Sequence, residues 1–238
     1  MSNSNNTSRD LALIQELHTA IGLAQFGLGS LQKIDGSNDF YHLPLLLLAG
    51  AKERLLKVIL SIHSKSQTGS YPTIQEMKNF GHDLEKILQE VTEPSLFGAA
   101  WVSSPGAGKT DHDFLTQDQH YQEMVSILSY FGRYGRYANL DFIAGQPQAQ
   151  DSPQTRWQLM EKKILSSINL PQPTSYEEQA HARQQINRQV MMTLERAFRA
   201  LARWFTLGGG KPDAAIHSSL LMPFLNLRDE DLGENTWS

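Results

Sequence analysis

Apolar residues recur along this chain at helical spacing. Ile14, Leu17, Ile21, Ala24, Leu28 and Leu31 follow one another at steps of three and four, which places them on one stripe of a first helix. Asp-Gly-Ser-Asn at 35–38 supplies a turn. A second helix is predicted from Tyr41 to His63, with Pro44 accommodated in its first turn. Its early part, LPLLLLAGA at 43–51, is apolar on most sides, which marks it as the central helix. Thr73 and Glu76 have the spacing of a capping box ahead of a third amphipathic segment carrying Ile74, Met77, Leu84, Ile87, Leu88 and Val91. Residues 92–116 read as a loop, and the Pro- and Gln-rich stretches 145–155 and 169–175 read as connectors. Between them fall helices at 117–144, with a break near Gly132 or Gly135, and at 154–168. A long helix over 175–207 shows Ile186, Val190, Leu194, Ala197, Leu201 and Phe205 on one side, and a short helix over 213–222 follows. No segment alternates as a strand would. The pattern predicts an all-α, multi-helix bundle forming one domain over 9–228, between a frayed tail at 1–8 and an acidic tail at 229–238.

Charge adds an asymmetry. The chain carries a net −4, yet residues 133–203 hold eight Arg and two Lys against six Asp or Glu, a local +4. The basic half of the domain, 114–228, is therefore where an anionic partner is expected. The longest apolar run falls far short of the roughly 20 residues that a membrane span needs, so no membrane partner is expected. The absence of cysteine excludes disulfides and thiolate chemistry and fits a cytoplasmic protein.

Three stretches carry candidate chemistry. SSPGAGKT at 103–110 ends like a phosphate-binding loop, but Ser103 stands where the first glycine belongs, and Asp111 and Asp113 follow at once. It reads as a flexible loop, and no cofactor is expected. Asp111, His112 and Asp113 with His120 have metal-ligand chemistry without a metal-site spacing, so no metal is expected either. No G-x-S-x-G turn presents a serine nucleophile. YFGRYGRYANLDFI at 130–143 interleaves Tyr130, Tyr134 and Tyr137 with Arg133 and Arg136, a combination that can stack bases and meet phosphates. Packing of the tyrosines on the core is the simpler reading. On the long helix, Arg188, Arg196, Arg199 and Arg203 fall within about 80° of one another, opposite the apolar side. They are candidates for binding RNA or another anion, against the plain alternative of a solvated face.

AKERLLKVIL at 51–60 and GHDLEKIL at 81–88, on consecutive predicted helices, resemble the HEPN superfamily and a set of uncharacterised bacterial helical proteins. The resemblance spans about 10–93, making 9–93 the HEPN-like part. It implies a helical bundle of the kind found in toxin–antitoxin and phage-defence systems, where many members are dimeric, metal-independent ribonucleases. This chain departs from the ribonuclease motif of Arg, four to six residues, then His. Arg9 to His18 and Arg54 to His63 each have eight residues between them, and His82 has Lys78 rather than an arginine ahead of it. The expectation is an accessory or regulatory protein, not an enzyme, that contacts RNA or a protein partner, with a homodimer implied by the resemblance. A divergent ribonuclease would use His82 as general acid and base, with Arg54, Arg133 or Arg136 stabilising charge on phosphorus. A purely structural interaction module, its arginines paired internally, is the third reading. His82 itself is expected to be a packed, hydrogen-bonded histidine joining two helices.

Overall fold

The computed structural model describes residues 2–35, 37–147, 151–168, 174–208 and 212–237; for residues 2–6 only the backbone course is described. Twelve α-helical segments and no strand are found among them. Helix α1 (Ser2–Gln32) begins inside the polar opening read as frayed, and its apolar stripe packs along α2 (His42–Thr68). Gly27 lies at that contact, with Leu48 so near that an added Cβ would overlap it. Helix α2 is the central element, burying Leu45, Leu48, Leu55, Leu56, Ile59 and Ile62. The apolar run packs on most of its sides, while Leu46 and Leu47 are only partly covered.

The predicted third helix is two. α3 (Ile74–Phe80) opens on the Thr73/Glu76 capping box, and α4 (Leu84–Thr92) opens on Asp83, whose side chain accepts the Lys86 N–H at 3.2 Å. Gly81, at φ +58°, makes the turn between them, in a conformation costly for other residues. The stretch read as a loop at 92–116 contains α5 (Pro94–Phe97), α6 (Ala99–Ser103) and most of α7 (Ala107–Gln117). The first two are too short to show periodicity. Their anchors are Leu96 and Phe97, and the Trp204 indole N–H bonds the Leu96 carbonyl at 3.1 Å.

Helix α8 (Gln119–Tyr130) runs into a π-helical turn, Phe131–Gly135, and then α9 (Ala138–Ile143), so the break expected near the glycines is a change of helical winding. Ser152 caps α10 (Pro153–Ser167), and a Ser175/Glu178 capping box opens α11 (Tyr176–Thr206). The last predicted helix is a 3₁₀ segment, Ala215–Leu221, followed by the single turn α12 (Met222–Leu225).

The acidic end of the chain does not trail away. Trp237 stacks on Phe224 at 5.1 Å between centroids, and its indole N–H donates to buried Glu195 at 2.6 Å. The Gly233 N–H donates to the same carboxylate at 2.6 Å. One contiguous apolar core joins both halves. Buried polar groups meet inside it: Glu161 accepts from Tyr41 (2.7 Å), Arg183 (2.6 Å) and Trp157 (3.2 Å).

Candidate functional site

A cleft of about 870 Å³ opens between α1, α2 and α3. Leu23, Leu46, Leu47 and Met77 give it an apolar lining, while Arg9, Arg54, Lys57, His82 and Arg136 supply cationic or titratable groups. This volume falls within the roughly 300–1,000 Å³ of small-ligand sites. Three of the four residues proposed for catalysis from sequence, His82, Arg54 and Arg136, therefore line one cavity although they are far apart in the chain.

His82 is placed by the corner between α3 and α4. Asp83 caps α4, and the Leu84 N–H donates to the Ser129 hydroxyl at 3.0 Å. Arg133 from the π-turn donates to Asp83 at 2.8 Å, with Glu85 at 3.6 Å. These contacts lock the corner against the π-turn that leads to Arg136. The imidazole, expected to be packed, is instead 59% exposed, and its Nδ1 lies 2.9 Å from Glu53 Oε1. Packing fails because Gly81 turns the chain before α4 starts, which carries His82 clear of the buried stripe of that helix. Glu53 accepts from the Nδ1–H, so the neutral ring keeps its lone pair on Nε2. Lys57 bonds the same carboxylate oxygen at 2.8 Å. Burial alone would raise the Glu53 carboxyl, but the bonds from Lys57 and His82 outweigh it and hold the pKa below the ordinary value. The result is a carboxylate–imidazole pair at the edge of a cleft whose walls carry Arg9, Arg54, Lys57 and Arg136 beside the carboxylates Glu16 and Glu53.

The arginines differ in what they have free. Arg54 is exposed and paired with Glu16. Arg133 is committed to Asp83 and does not line the cleft. Arg136 has no ion pair among the described residues, and its Nε is buried without a hydrogen-bond partner.

The four arginines of α11 do not form one open face. Arg199 is buried, donating to the Leu227 carbonyl at 3.1 Å and to Asp229 at 2.5 Å. Arg188 pairs with Glu234, and Arg203 donates to buried Asp111 at 3.1 Å. Arg196 lies 4.2 Å above the Phe114 ring. Much of the charge asymmetry is thus met within the fold, where the acidic C-terminal segment lies along the basic helix. Tyr134 and Tyr137, which packing would have buried, are 58% and 65% exposed, because the π-turn rotates them off the helix face. Tyr130 is half-buried beneath Arg156, 4.0 Å above its ring.

The Gly-Lys-Thr of the loop-like stretch lies in the first turn of α7. Gly108 packs against the Trp101 ring, Lys109 pairs with Asp113 at 2.5 Å, and the Thr110 hydroxyl donates back to the Gly106 carbonyl at 3.1 Å. All three roles are internal to the fold. Asp111 and His112 point to different partners, Arg203 and the Thr92 carbonyl. No group of three or more His, Asp or Glu side chains able to hold a metal ion converges among the described residues. No described helix is long and apolar enough to cross a membrane.

Sequence reasoning missed two features. Glu53 pairs locally with Lys57 four residues on, but its bond to His82 spans 29 residues. Lys52 is fully buried, bonded to the Tyr121 hydroxyl and 4.2 Å from the Tyr121 ring centroid. Burial pulls its pKa from 10.5 to about 7. Comparison with models of known protein families, with curated proteins and with solved structures finds no match to this chain.

Proposed function

We propose that this chain is an accessory protein that contacts single-stranded RNA, and that it does so in the α1–α2–α3 cleft rather than on the α11 arginines. The observation that carries this reading is the meeting of His82, Arg54 and Arg136 in one cavity with an apolar lining. Cationic side chains meet phosphates, and the Tyr71 ring in the lining offers a face on which a base can stack, as in sequence-tolerant single-strand binding. The Gly-His-Asp-Leu resemblance to HEPN proteins agrees with it, since GHDL builds the corner that presents His82. The test is fluorescence anisotropy with a labelled single-stranded RNA at low salt. Wild type is expected to bind, with affinity lowered by Arg54→Gln. Absence of binding at low salt refutes the reading.

The Glu53–His82 pair favours a second reading, divergent metal-independent ribonuclease activity. Glu53 orients the ring through Nδ1; Nε2 takes the proton of the ribose 2′-hydroxyl as its oxygen attacks phosphorus, and the imidazolium returns it to the leaving 5′-oxygen as the P–O5′ bond breaks. A neighbouring arginine stabilises the charge that develops on phosphorus. Cleavage in the presence of a chelator that disappears in an equally stable His82→Asn protein would support it. An intact substrate with wild type would leave RNA contact alone.

A further inference from the structure

Arg136 directly follows the π-turn, a rare winding that is frequent at functional sites. It lines the large cleft and also a second cavity of about 180 Å³. The smaller cavity is walled by the π-turn and by Ser152, Pro153 and Gln154 at the start of α10. No Asp or Glu lines it, and Asn139, Gln154 and His42 add polar groups. Most arginines described above already have a carboxylate: Arg54, Arg133, Arg183, Arg188, Arg199 and Arg203 each pair with one. Arg136 pairs with none among the described residues; its Nε is closed off from solvent, as Arg199 Nε is, which leaves the terminal nitrogens as the donors it can offer. A guanidinium with no carboxylate partner at the wall of a cavity without acidic residues is matched by an anion from outside the chain.

We propose that Arg136 holds a phosphate group at the junction of the two cavities. The two terminal nitrogens present paired donors, an edge that fits two oxygens of one phosphate. The positive end of α10 adds a favourable field to the same cavity. Ser152 already caps the Thr155 N–H and Pro153 has none, so the arginine is the main donor. The small cavity has room for a phosphate but not for the sugar and base attached to it, which the adjoining cleft accommodates. The phosphate is therefore the terminal group of an RNA strand lying in the cleft. The phosphate site stands on Arg136 and its acid-free cavity, whereas its assignment to a strand end rests on the RNA reading above.

The experiment has two arms. Inorganic phosphate is titrated into the full chain while the arginine Nε–H resonances are followed by NMR, with acetate at matched ionic strength as control. A saturable shift of the Arg136 resonance with phosphate, absent with acetate, is expected; Arg136→Lys and Arg136→Gln each identify that resonance by its loss. In the second arm, a single-stranded RNA phosphorylated at its end is compared with the hydroxyl-ended strand. The phosphorylated strand is expected to bind about tenfold tighter, the ratio that one charge-assisted contact supplies. Arg136→Lys, which keeps the charge but not the paired donors, is expected to lose most of that preference. A saturable shift without end preference supports the phosphate site and overturns the strand-end assignment. A shift with phosphate but no binding of either strand refutes RNA contact and leaves the phosphate site standing. No shift with phosphate, or an equal one with acetate, overturns the proposal.

Discussion

Replacing Lys52 with Met gives stability a different pH dependence. The ammonium of Lys52 lies in the core between the Tyr121 and Phe198 rings, 4.2 and 5.7 Å from their centroids, and burial alone takes its pKa from 10.5 to about 7. Each pKa unit corresponds to about 1.36 kcal/mol, so the charged form is disfavoured in the fold by about 5 kcal/mol. Between pH 7 and 10.5 the unfolded chain binds a proton at this site that the folded chain does not, so stability rises with pH across that window. Below the folded pKa both states are charged and the full penalty applies. From pH 6 to pH 9 wild type should therefore gain about 2–3 kcal/mol from this residue alone. Lys52→Met removes the titration. It also leaves the Tyr121 hydroxyl without its partner, at a cost of about 1–3 kcal/mol that does not change with pH in this range. Burial pushes the Tyr121 pKa well above 10, so the phenol stays neutral throughout. Urea unfolding followed by circular dichroism, run on both proteins at several pH values, reads the difference. Wild type should gain on the variant as pH rises from 6 to 9. A constant separation between the two curves would refute the buried, partly neutral lysine.

Four further outcomes follow from the packing. His82→Ala should change stability by no more than about 1 kcal/mol, because the ring is 59% exposed and its ion pair lies at the surface; a large drop in thermal denaturation would restore the packed-histidine expectation. Gly108→Leu should destabilise by about 1–3 kcal/mol, since even a Cβ would meet the Trp101 ring at 2.4 Å. Lys109→Ala should leave both stability and any nucleotide-induced thermal shift unchanged; a shift lost in that variant would revive the phosphate-loop reading. Trp237→Ala should cost about 3–5 kcal/mol by removing the stack on Phe224 and one donor to buried Glu195; a neutral result in chemical denaturation would mean that the C-terminal segment is not anchored as described.

The long elements were legible because their signals are local. The apolar stripe of α11 repeats over many turns, whereas the division of α3 from α4 at Gly81 and Asp83 went unread because the apolar positions on both sides fit one helical stripe. Helices α5 to α7 were not legible. Two are shorter than two helical turns, and the buried side of α7 includes Asp111, whose partner Arg203 lies 92 residues away. The π-turn depends on a distant contact as well, for Gly135 packs against Pro153 so closely that a Cβ would lie 2.6 Å from its ring. Within the site, GHDL and the arginines could be named from the sequence, but their meeting could not. Glu53 reaches His82 only because α2 passes the α3–α4 corner. Lys52, one residue earlier in the same Ala-Lys-Glu-Arg, carries no mark of burial that a surface lysine would lack. The α11 arginines show the reverse: a regular stripe suggested an open face, whereas the acidic C-terminal segment and α7 supply its carboxylates.

The salt dependence of RNA affinity tests the central claim most directly. It should be measured for wild type, for Arg54→Gln/Arg136→Gln in the cleft, and for Arg188→Gln/Arg196→Gln on α11. Each phosphate contact on a single strand contributes about 0.7 to the slope of log affinity against log salt. The cleft variant should therefore lose about 1.4 of the slope while the α11 variant keeps the wild-type value. A slope lowered only by the α11 variant, or no binding by wild type at low salt, would contradict the account.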